Sequence, residues 1–316
     1  MPETVAVIGA TGAQGGSVVA SLYESPDQYH IRGVTRNVSS DRVKELRAQY
    51  PNVEWVAADN YDPESLRRAF KNVDIVFANT NYLQPEVLAQ VDAGDLDAEF
   101  KLGKNIVDAA IAEGVSHIIY SSLESAAKGS NGKYTKVYEL EGKNKIEQYI
   151  RSQSDKIKGY YVYAGFYFQN LLGTAKWTTT TNSDGDEVPA VRFSYPLPRD
   201  TKLPYVDIEK DLGNAVRLIA DNRSDYEGKI VGAYSGLYSS GDIVDTFTRV
   251  TGVPAIYVNE KFEGFDRSEI YDMLDYFVEF GEFAESDVVF ASKVSPRPFV
   301  DLDQFWQRYS DFRPPQ

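Results

Sequence analysis

Cysteine is absent from the 316 residues, and histidine occurs only as His30 and His117. Without cysteine the protein can have no disulfide framework, no thiolate zinc site and no cysteine nucleophile. Neither histidine stands in the H-E-x-x-H spacing of zinc proteases. We therefore expect no metal site.

Long apolar runs are also absent, since stretches such as 73–78 fall far short of the ~18 residues that a membrane helix needs. The first residues show no positive segment followed by an apolar one, so no secretory signal is expected. Positive charge is scarce: 33 lysines and arginines face 47 aspartates and glutamates, a formal net charge of −14. An acidic surface repels phosphate backbones. We expect a cytoplasmic or nuclear protein that binds neither nucleic acid nor membrane directly.

What the sequence does contain is a regular alternation of β-rich runs with helical periodicity. Apolar strands are predicted at 5–8, 30–35, 53–57, 73–78 and 117–121. Crossovers between parallel strands are right-handed in nearly all proteins, so repeated βα units form a parallel sheet covered on both faces. The prediction is an α/β fold with a doubly wound parallel Rossmann sheet.

A glycine-rich turn, G-x-x-G-x-x-G, joins the first strand to the first helix. Its first glycine permits a tight turn, the second lets backbone approach a pyrophosphate, and the third lets helix and strand pack closely. The amides and dipole at the helix start favour a diphosphate anion. Glycines that serve backbone shape alone are the alternative, but the βα context favours a dinucleotide. The predicted contacts are Gly9, Thr11, Gly12, Ala13, Gln14 and Gly15.

The end of the second strand bears on the choice of cofactor. A carboxylate there would accept hydrogen bonds from the ribose 2′-hydroxyl of NAD(H), whereas an arginine accommodates the 2′-phosphate of NADP(H). The chain has Thr35, Arg36 and Asn37 at this point and no carboxylate. NADP(H) is therefore predicted over NAD(H), with Arg36 on the phosphate. A solvated surface arginine is the alternative.

Polar residues also follow the third and fourth strands. Asp59 and Asn60 are predicted to contact the adenine, although both residue types are common turn formers. Asn79 and Thr80 follow the fourth strand, where the cofactor should pass. These four residues complete the dinucleotide site expected from the first half of the chain.

The pattern changes after a sixth strand predicted at 159–168, and 177–187 has the composition of a loop or hairpin. We predict an NAD(P)-binding Rossmann domain at 1–154 and a smaller C-terminal α/β lobe at 155–316, with some segments returning to the main sheet. In that lobe, 260–285 is predicted as an amphipathic helix with its aromatic side on the core. The acidic side, expected in solvent, carries Glu279, Glu282 and Glu285.

Four stretches resemble the NmrA-like family, an atypical branch of the short-chain dehydrogenase/reductase superfamily. They are residues 9–15, 33–37, 108–122 and 164–170. The resemblance covers nearly the whole chain and is weakest in the last ~55 residues. It implies that Ser121 or Ser122 occupies the strand-five serine position, with Ser121 taken as the cofactor contact. It also implies that Ala164, Gly165 and Phe166 lie near the nicotinamide, although the glycine and the aromatic residue could serve packing alone.

A working short-chain dehydrogenase carries a proton-donating tyrosine four residues before a lysine, because one helical turn places both beside the nicotinamide. None of the lysines between 128 and 145 has a tyrosine at that spacing, and Tyr138 precedes Lys143 by five residues, so these two should face apart. By the resemblance, Glu139 takes the tyrosine position and Lys143 survives. A glutamate with an ordinary pKa is ionised at neutral pH and donates protons poorly. No catalytic residue is therefore predicted.

Two roles remain for Lys143, a contact to the cofactor or a solvated helix position. Two functions remain for the protein. The resemblance favours an NADP(H)-binding regulator or redox sensor without turnover, which acts through a partner such as a GATA-type zinc-finger transcription factor. The alternative is an atypical NADPH-dependent reductase, in which the substrate or another side chain, such as Tyr138, Tyr163 or Tyr167, supplies the proton.

Overall fold

The computed structural model describes residues 2–283 and 288–314. The strands in this part of the chain are β1 (Glu3–Ile8), β2 (Tyr29–Thr35), β3 (Glu54–Ala57), β4 (Ile75–Ala78), β5 (His117–Ser122), β6 (Lys158–Ala164), β7 (Phe166–Tyr167), β8 (Ala175–Thr181), β9 (Glu187–Tyr195), β10 (Lys202–Val206), β11 (Ile230–Ala233), β12 (Gly236–Ser239), β13 (Ala255–Asn259) and β14 (Val288–Phe290). The helices are α1 (Ala13–Tyr23), α2 (Asp41–Gln49), α3 (Pro63–Phe70), α4 (Pro85–Asp92), α5 (Ala98–Ala112), α6 (Ala126–Gly129), α7 (Tyr138–Ser152), α8 (Phe168–Thr174), α9 (Asp211–Asp221), α10 (Arg223–Tyr226), α11 (Ser240–Thr251), α12 (Ser268–Phe280), α13 (Ala291–Val294) and α14 (Leu302–Arg308).

Eight parallel strands form the main sheet in the order β14-β11-β6-β5-β4-β1-β2-β3. In the centre of the sheet, Val5 of β1 pairs with Ile31 of β2 on one side and with Ile75 of β4 on the other. Buried apolar residues of the strands point to both faces, where α1, α2 and α9 cover one core and α3, α5 and α7 cover the other. The predicted doubly wound α/β fold is confirmed.

The later part of the chain contributes to the main sheet and also builds a separate lobe. β6, β11 and β14 extend the main sheet, whereas β12-β10-β7 and β13-β9-β8 form two small sheets. An aromatic core lies between these sheets and the helices α8, α11, α12 and α14. Its fully buried rings include Phe168, Phe193, Phe247, Phe305 and Trp306.

The predicted sixth strand at 159–168 is too long. β6 ends at Ala164, and the chain then turns, pairs with β10 through β7, and enters α8 at Phe168. Gly165 makes the turn possible, because a Cβ at this position would lie 2.6 Å from the carbonyl oxygen of Pro204. The break carries the chain from the main sheet into the lobe.

The predicted helix at 260–285 is also shorter than expected. α12 spans Ser268–Phe280 and ends at Gly281, whose φ of 82° breaks the helical conformation. Glu279 is exposed, as expected, and it pairs with Lys133. Glu282 follows the helix and turns inward. Glu285 lies outside the described residues.

Candidate functional site

A cleft of about 980 Å³ opens at the carboxyl ends of the main-sheet strands and continues beneath the lobe. Ligands of open α/β sheets bind at this edge. The predicted site residues that line it are Gly9, Thr11, Gly12, Ala13, Gln14, Thr35, Arg36, Asp59, Asn60, Asn79, Thr80, Ser121, Lys143, Ala164, Gly165 and Phe166. Gly15 and Asn37 are not part of its lining.

The glycine turn has the geometry that an anion-binding loop requires. Gly9 adopts a φ of 66°, and its carbonyl oxygen accepts a hydrogen bond of 2.8 Å from the amide of Gly12. Gly15 sits behind the turn, where a Cβ would lie 2.3 Å from the same oxygen. Gly12 begins α1 without a side-chain cap, so the first amides of the helix are open to the cleft. The turn can therefore hold a diphosphate.

The end of β2 supplies the exposed positive charge of the cleft. Arg36 lies at the rim and forms no ion pair within the described ranges. The next side chain, Asn37, faces away, where its oxygen accepts hydrogen bonds from the backbone amide and hydroxyl of Ser39. Asn37 thus stabilises a turn, and Arg36 remains available to a phosphate group.

Asp59 combines the two roles weighed from the sequence. It lines the cleft together with Asn60, and its carboxylate also accepts a hydrogen bond of 3.0 Å from the amide of Tyr61. This bond forms the turn after β3. Contact with an adenine stays a prediction for both residues.

Two hydrogen bonds join the glycine turn to the lobe. Gln14 donates to the hydroxyl of Tyr167 at 2.6 Å, and Asn79 donates to the Gln14 side-chain oxygen at 3.5 Å. Because Tyr167 lies in β7, this chain of contacts connects the cofactor end of the cleft with the residues beneath the lobe.

Lys143 is buried and paired, so the alternative of a solvated helix lysine is wrong. Its ammonium lies 2.5 Å from a carboxylate oxygen of Glu99 and donates to the carbonyl oxygen of Thr80 at 2.8 Å. The hydroxyl of Thr80 donates to the same Glu99 oxygen at 2.7 Å. Gly142 allows α7 to lie this close to α5, since a Cβ at Gly142 would be 2.8 Å from the Glu99 carboxylate.

Sequence analysis missed Glu99, although α5 carries a signal for it. Glu99 stands one helical turn before Gly103 and two turns before Ile106, so all three share a face, and all three are buried. A carboxylate on an inward helix face needs a buried partner. Lys143 is that partner.

Glu139 departs from the expectation of an ordinary carboxylate. It lines the cleft one helical turn before Lys143, and burial raises its pKa to about 7. The nearby Lys143 ammonium lowers this pKa and the Glu99 carboxylate raises it, but both effects are smaller than that of burial. Tyr138 packs instead near Tyr82, outside the cleft, in accord with the predicted divergence from Lys143.

Part of the cleft wall is an aromatic surface contributed by the lobe, which we call the aromatic chamber. The apolar residues that line this chamber are Phe166, Tyr195, Phe262, Phe265, Ile270, Met273 and Phe277. Tyr163 is not among them, because it is buried in the main core and donates its hydroxyl hydrogen to Glu147 at 3.0 Å. Burial raises the pKa of Tyr167, at the chamber entrance, to about 12.

Glu282 belongs to the wall of the cleft, and the expectation that its carboxylate is solvated is wrong. One of its oxygens is buried and has no hydrogen-bond partner among residues 2–283 and 288–314. Burial raises the pKa of Glu282 well above its usual range, and the charge of Glu124 raises it further. The cleft therefore contains two carboxyl groups whose pKa is raised by burial.

The described residues gather no three histidine, aspartate or glutamate side chains into a group that could hold a metal ion. Within the same ranges, no helix combines the length and the apolar character needed to cross a bilayer.

Comparison with known proteins places the whole chain in one family. The model of the NmrA-like family matches residues 1–313. An NmrA-like family domain-containing oxidoreductase of Aspergillus campestris, cpsB, is 33% identical, with 81% of this chain and 75% of that protein covered. An NmrA-like family domain-containing protein of Dictyostelium discoideum is 29% identical, with 90% of both chains covered.

Solved structures share the fold at lower identity. NmrA, a negative transcriptional regulator in complex with NADP, has a TM-score of 0.73 at 21% identity and covers 98% of this chain and 96% of its own. A Citrobacter sp. triphenylmethane reductase complexed with NADP(H) has a TM-score of 0.69 at 18% identity and covers 97% and 99%. The fold and the family match agree, and the chain belongs to the NmrA-like family.

Proposed function

We propose that this protein is an NADPH-dependent reductase of small apolar carbonyl compounds. The observation that carries the proposal is the aromatic chamber, which lines the same cleft as Lys143 and Gly165. Small-molecule sites are concave, mostly apolar, and contain a few polar groups that fix the ligand. A protein that only senses a dinucleotide needs no such second compartment.

The residues at the other end of the cleft fit a dinucleotide. Gly9 and Gly12 form the turn that precedes α1, where the helix amides and dipole favour an anion such as a diphosphate. Arg36 suits a 2′-phosphate, because its side chain is exposed and lines the cleft at the end of β2. When bound, NADPH would supply a hydride to a substrate in the chamber.

The relatives support turnover more than regulation. Three relatives at 29–33% identity, cpsB, lnaB and FrzB, are named NmrA-like family domain-containing oxidoreductases. NmrA, the regulator, shares only 21–22% identity with this chain, so its similarity supports a common fold and not a common function. The regulatory function that was favoured from the sequence thus becomes the alternative. A zinc-finger partner and a cytoplasmic or nuclear location stay predictions, and the net charge of −14 suits a basic partner without naming one.

Cofactor binding and then substrate turnover can be tested, one after the other, on the purified protein. Calorimetric titration with NADP⁺, NADPH, NAD⁺ and NADH should give the highest affinities for the phosphorylated pair. A panel of aliphatic and aromatic aldehydes and ketones should then cause loss of the NADPH absorbance. Tight binding with no turnover across the panel would contradict the reductase and favour the sensor. Absence of binding would contradict both functions.

A further inference from the structure

We propose that Glu139 is the proton donor of this reductase, and that its carboxyl group protonates the oxygen of a carbonyl substrate held in the aromatic chamber. The inference rests on the proposed function, since it assumes that a carbonyl compound is reduced in the cleft. It assigns a catalytic residue where the sequence predicted none.

The position of Glu139 is the first argument. Glu139 and Lys143 are separated by one turn of α7, and both line the cleft. Lys143 is directed inward to Glu99, so its ammonium is occupied by a carboxylate. Glu139 is half-buried in the cleft wall and is left facing the cavity. Of the two ionisable residues of α7 that line the cleft, Glu139 is thus the one with no ion pair to another described residue.

The charges around Glu139 are the second argument. Lys143 faces it from its own helix, Glu99 from α5, Tyr167 from β7 and Tyr195 from β9. Burial raises the pKa of both tyrosines far above neutral, so neither is charged. The Lys143 charge is offset by Glu99. Desolvation therefore dominates and raises the pKa of Glu139 to about 7, which is suited to a general acid near neutral pH.

The other candidate acids fit less well. Tyr138 and Tyr163 lie outside the cleft lining, and the hydroxyl of Tyr163 is committed to Glu147. Tyr167 lines the cleft, but a phenol whose pKa is about 12 is a far weaker acid than Glu139 at neutral pH. Asp59 follows β3, and its carboxylate accepts a hydrogen bond from the amide of Tyr61 in the turn there. Glu282 is the other carboxyl group of the lining, and the experiment below separates it from Glu139.

The proton balance of the step is simple. When NADPH is bound, a C–H bond of its dihydronicotinamide ring would break and supply the hydride that bonds to the carbonyl carbon, while the electron pair of the carbonyl π bond moves to the oxygen. At that oxygen a new O–H bond forms with the proton of Glu139, whose own O–H bond breaks. The products are an alcohol, oxidised cofactor and the Glu139 carboxylate. Because Glu139 lines the cleft, water that enters after the product leaves can return a proton to it before the next cycle.

The kinetic experiment compares the wild-type protein with Glu139→Gln. The wild-type kcat/KM should be constant on the acid side and fall about ten-fold per pH unit above about 7, because Glu139 must carry its proton to act. Glu139→Gln keeps the shape of the side chain but has no acidic proton. Its rate should fall about 100- to 10,000-fold and lose this pH dependence, with the NADPH affinity unchanged.

Two further variants make the result specific. Glu279→Gln removes an exposed glutamate that lies outside the cleft lining, on the helix that lines the chamber, and should keep the wild-type pH profile. Glu139→Asp retains an acidic proton on a shorter side chain and should recover part of the rate. If Glu282→Gln abolishes the pH dependence while Glu139→Gln retains it, the assignment to Glu139 is overturned.

A spectroscopic readout does not depend on turnover. The protonated carboxyl group of Glu139 should give an infrared band that titrates near pH 7 and is missing in Glu139→Gln. A band that titrates in the ordinary glutamate range, about 4.3, would overturn the inference even if the enzyme is active. A protein with the expected band that consumes no NADPH would instead overturn the proposed function, and the inference with it.

Discussion

At one end of the cleft, the glycine turn consists of the consecutive residues 9–15, whereas the chamber at the other end gathers side chains from β7, β9, the segment 262–265 and α12. The turn works through backbone: a positive φ at Gly9 and uncapped amides at the start of α1. The chamber is formed by side chains, and their positions depend on how the whole lobe folds. Cofactor and substrate are thus recognised by regions with different physical origins, and each can be damaged separately.

The largest effect is expected where the two regions meet, at the buried pair of Lys143 and Glu99. Glu99→Gln leaves the ammonium buried without a counter-charge, and we expect the free energy of unfolding to fall by about 3–5 kcal/mol. The double variant Glu99→Gln/Lys143→Met removes both charges and should recover most of this loss. Urea unfolding measures these changes. Losses that simply add would contradict the account of the pair as one unit.

The cofactor end is most sensitive at Gly15. Gly15→Ala places a methyl group against the backbone of Gly9 and Ala10, at a strain of about 3 kcal/mol, equivalent to about 150-fold in dinucleotide affinity. Gly16→Ala is the matched control, because its Cβ would lie 3.7 Å from the nearest atom, the carbonyl oxygen of Ala10. Calorimetry should show a loss for the first variant only. Equal affinities would mean that the close packing of the turn is unimportant for binding.

Arg36 tests cofactor choice within the same end. Arg36→Ala should weaken NADP⁺ by about 10- to 150-fold, the equivalent of a charge-assisted contact worth roughly 1.5–3 kcal/mol, and leave NAD⁺ almost unaffected. Arg42→Ala removes a nearby exposed arginine that pairs with Glu45 on α2 and should change neither affinity. If Arg36→Ala weakens both nucleotides equally, the arginine has no part in recognising the 2′-phosphate.

The chamber end can be filled without touching the turn. Gly173 lines the cleft, and a Cβ added there meets no atom within 4 Å. Gly173→Phe should raise the KM for an aromatic carbonyl substrate by about ten-fold while NADPH affinity stays constant. Gly173→Ala adds a single methyl group and should resemble the wild type. A parallel loss of NADPH affinity would show that the two ends are not separate.

The same contrast explains which features could be predicted from the sequence. Local spacing in the sequence predicts the glycine turn, the strand ends and Arg36, and the repeated βα units predict the sheet. Together these predictions place the residues at one edge of the sheet, where the cleft is found. The role of Gly15 follows from the rule that the third glycine of the turn lets the helix and strand pack closely. The structure agrees, because a Cβ at Gly15 would collide with the backbone of Gly9.

The chamber could not be predicted in this way. Glu282 reaches the cleft because α12 ends at Gly281, and a helix that continued to residue 285 would have given it a different environment. The raised pKa of Glu139 depends on burial by residues from β7 and β9, far away in the chain, so a reference pKa was the wrong guide. The position of Glu282 and the pKa of Glu139 both depend on tertiary packing, which cannot be inferred from the spacing of residues in the sequence.

The most direct test of the reductase is the fate of the transferred hydrogen. The purified protein is incubated with NADPH that carries deuterium at C4 and with an apolar aromatic aldehyde, and the product is analysed by mass spectrometry and NMR. We predict an alcohol with a single deuterium on the former carbonyl carbon, formed in step with NADP⁺. Recovery of unchanged aldehyde and unchanged NADPH across a broad carbonyl panel would contradict the account.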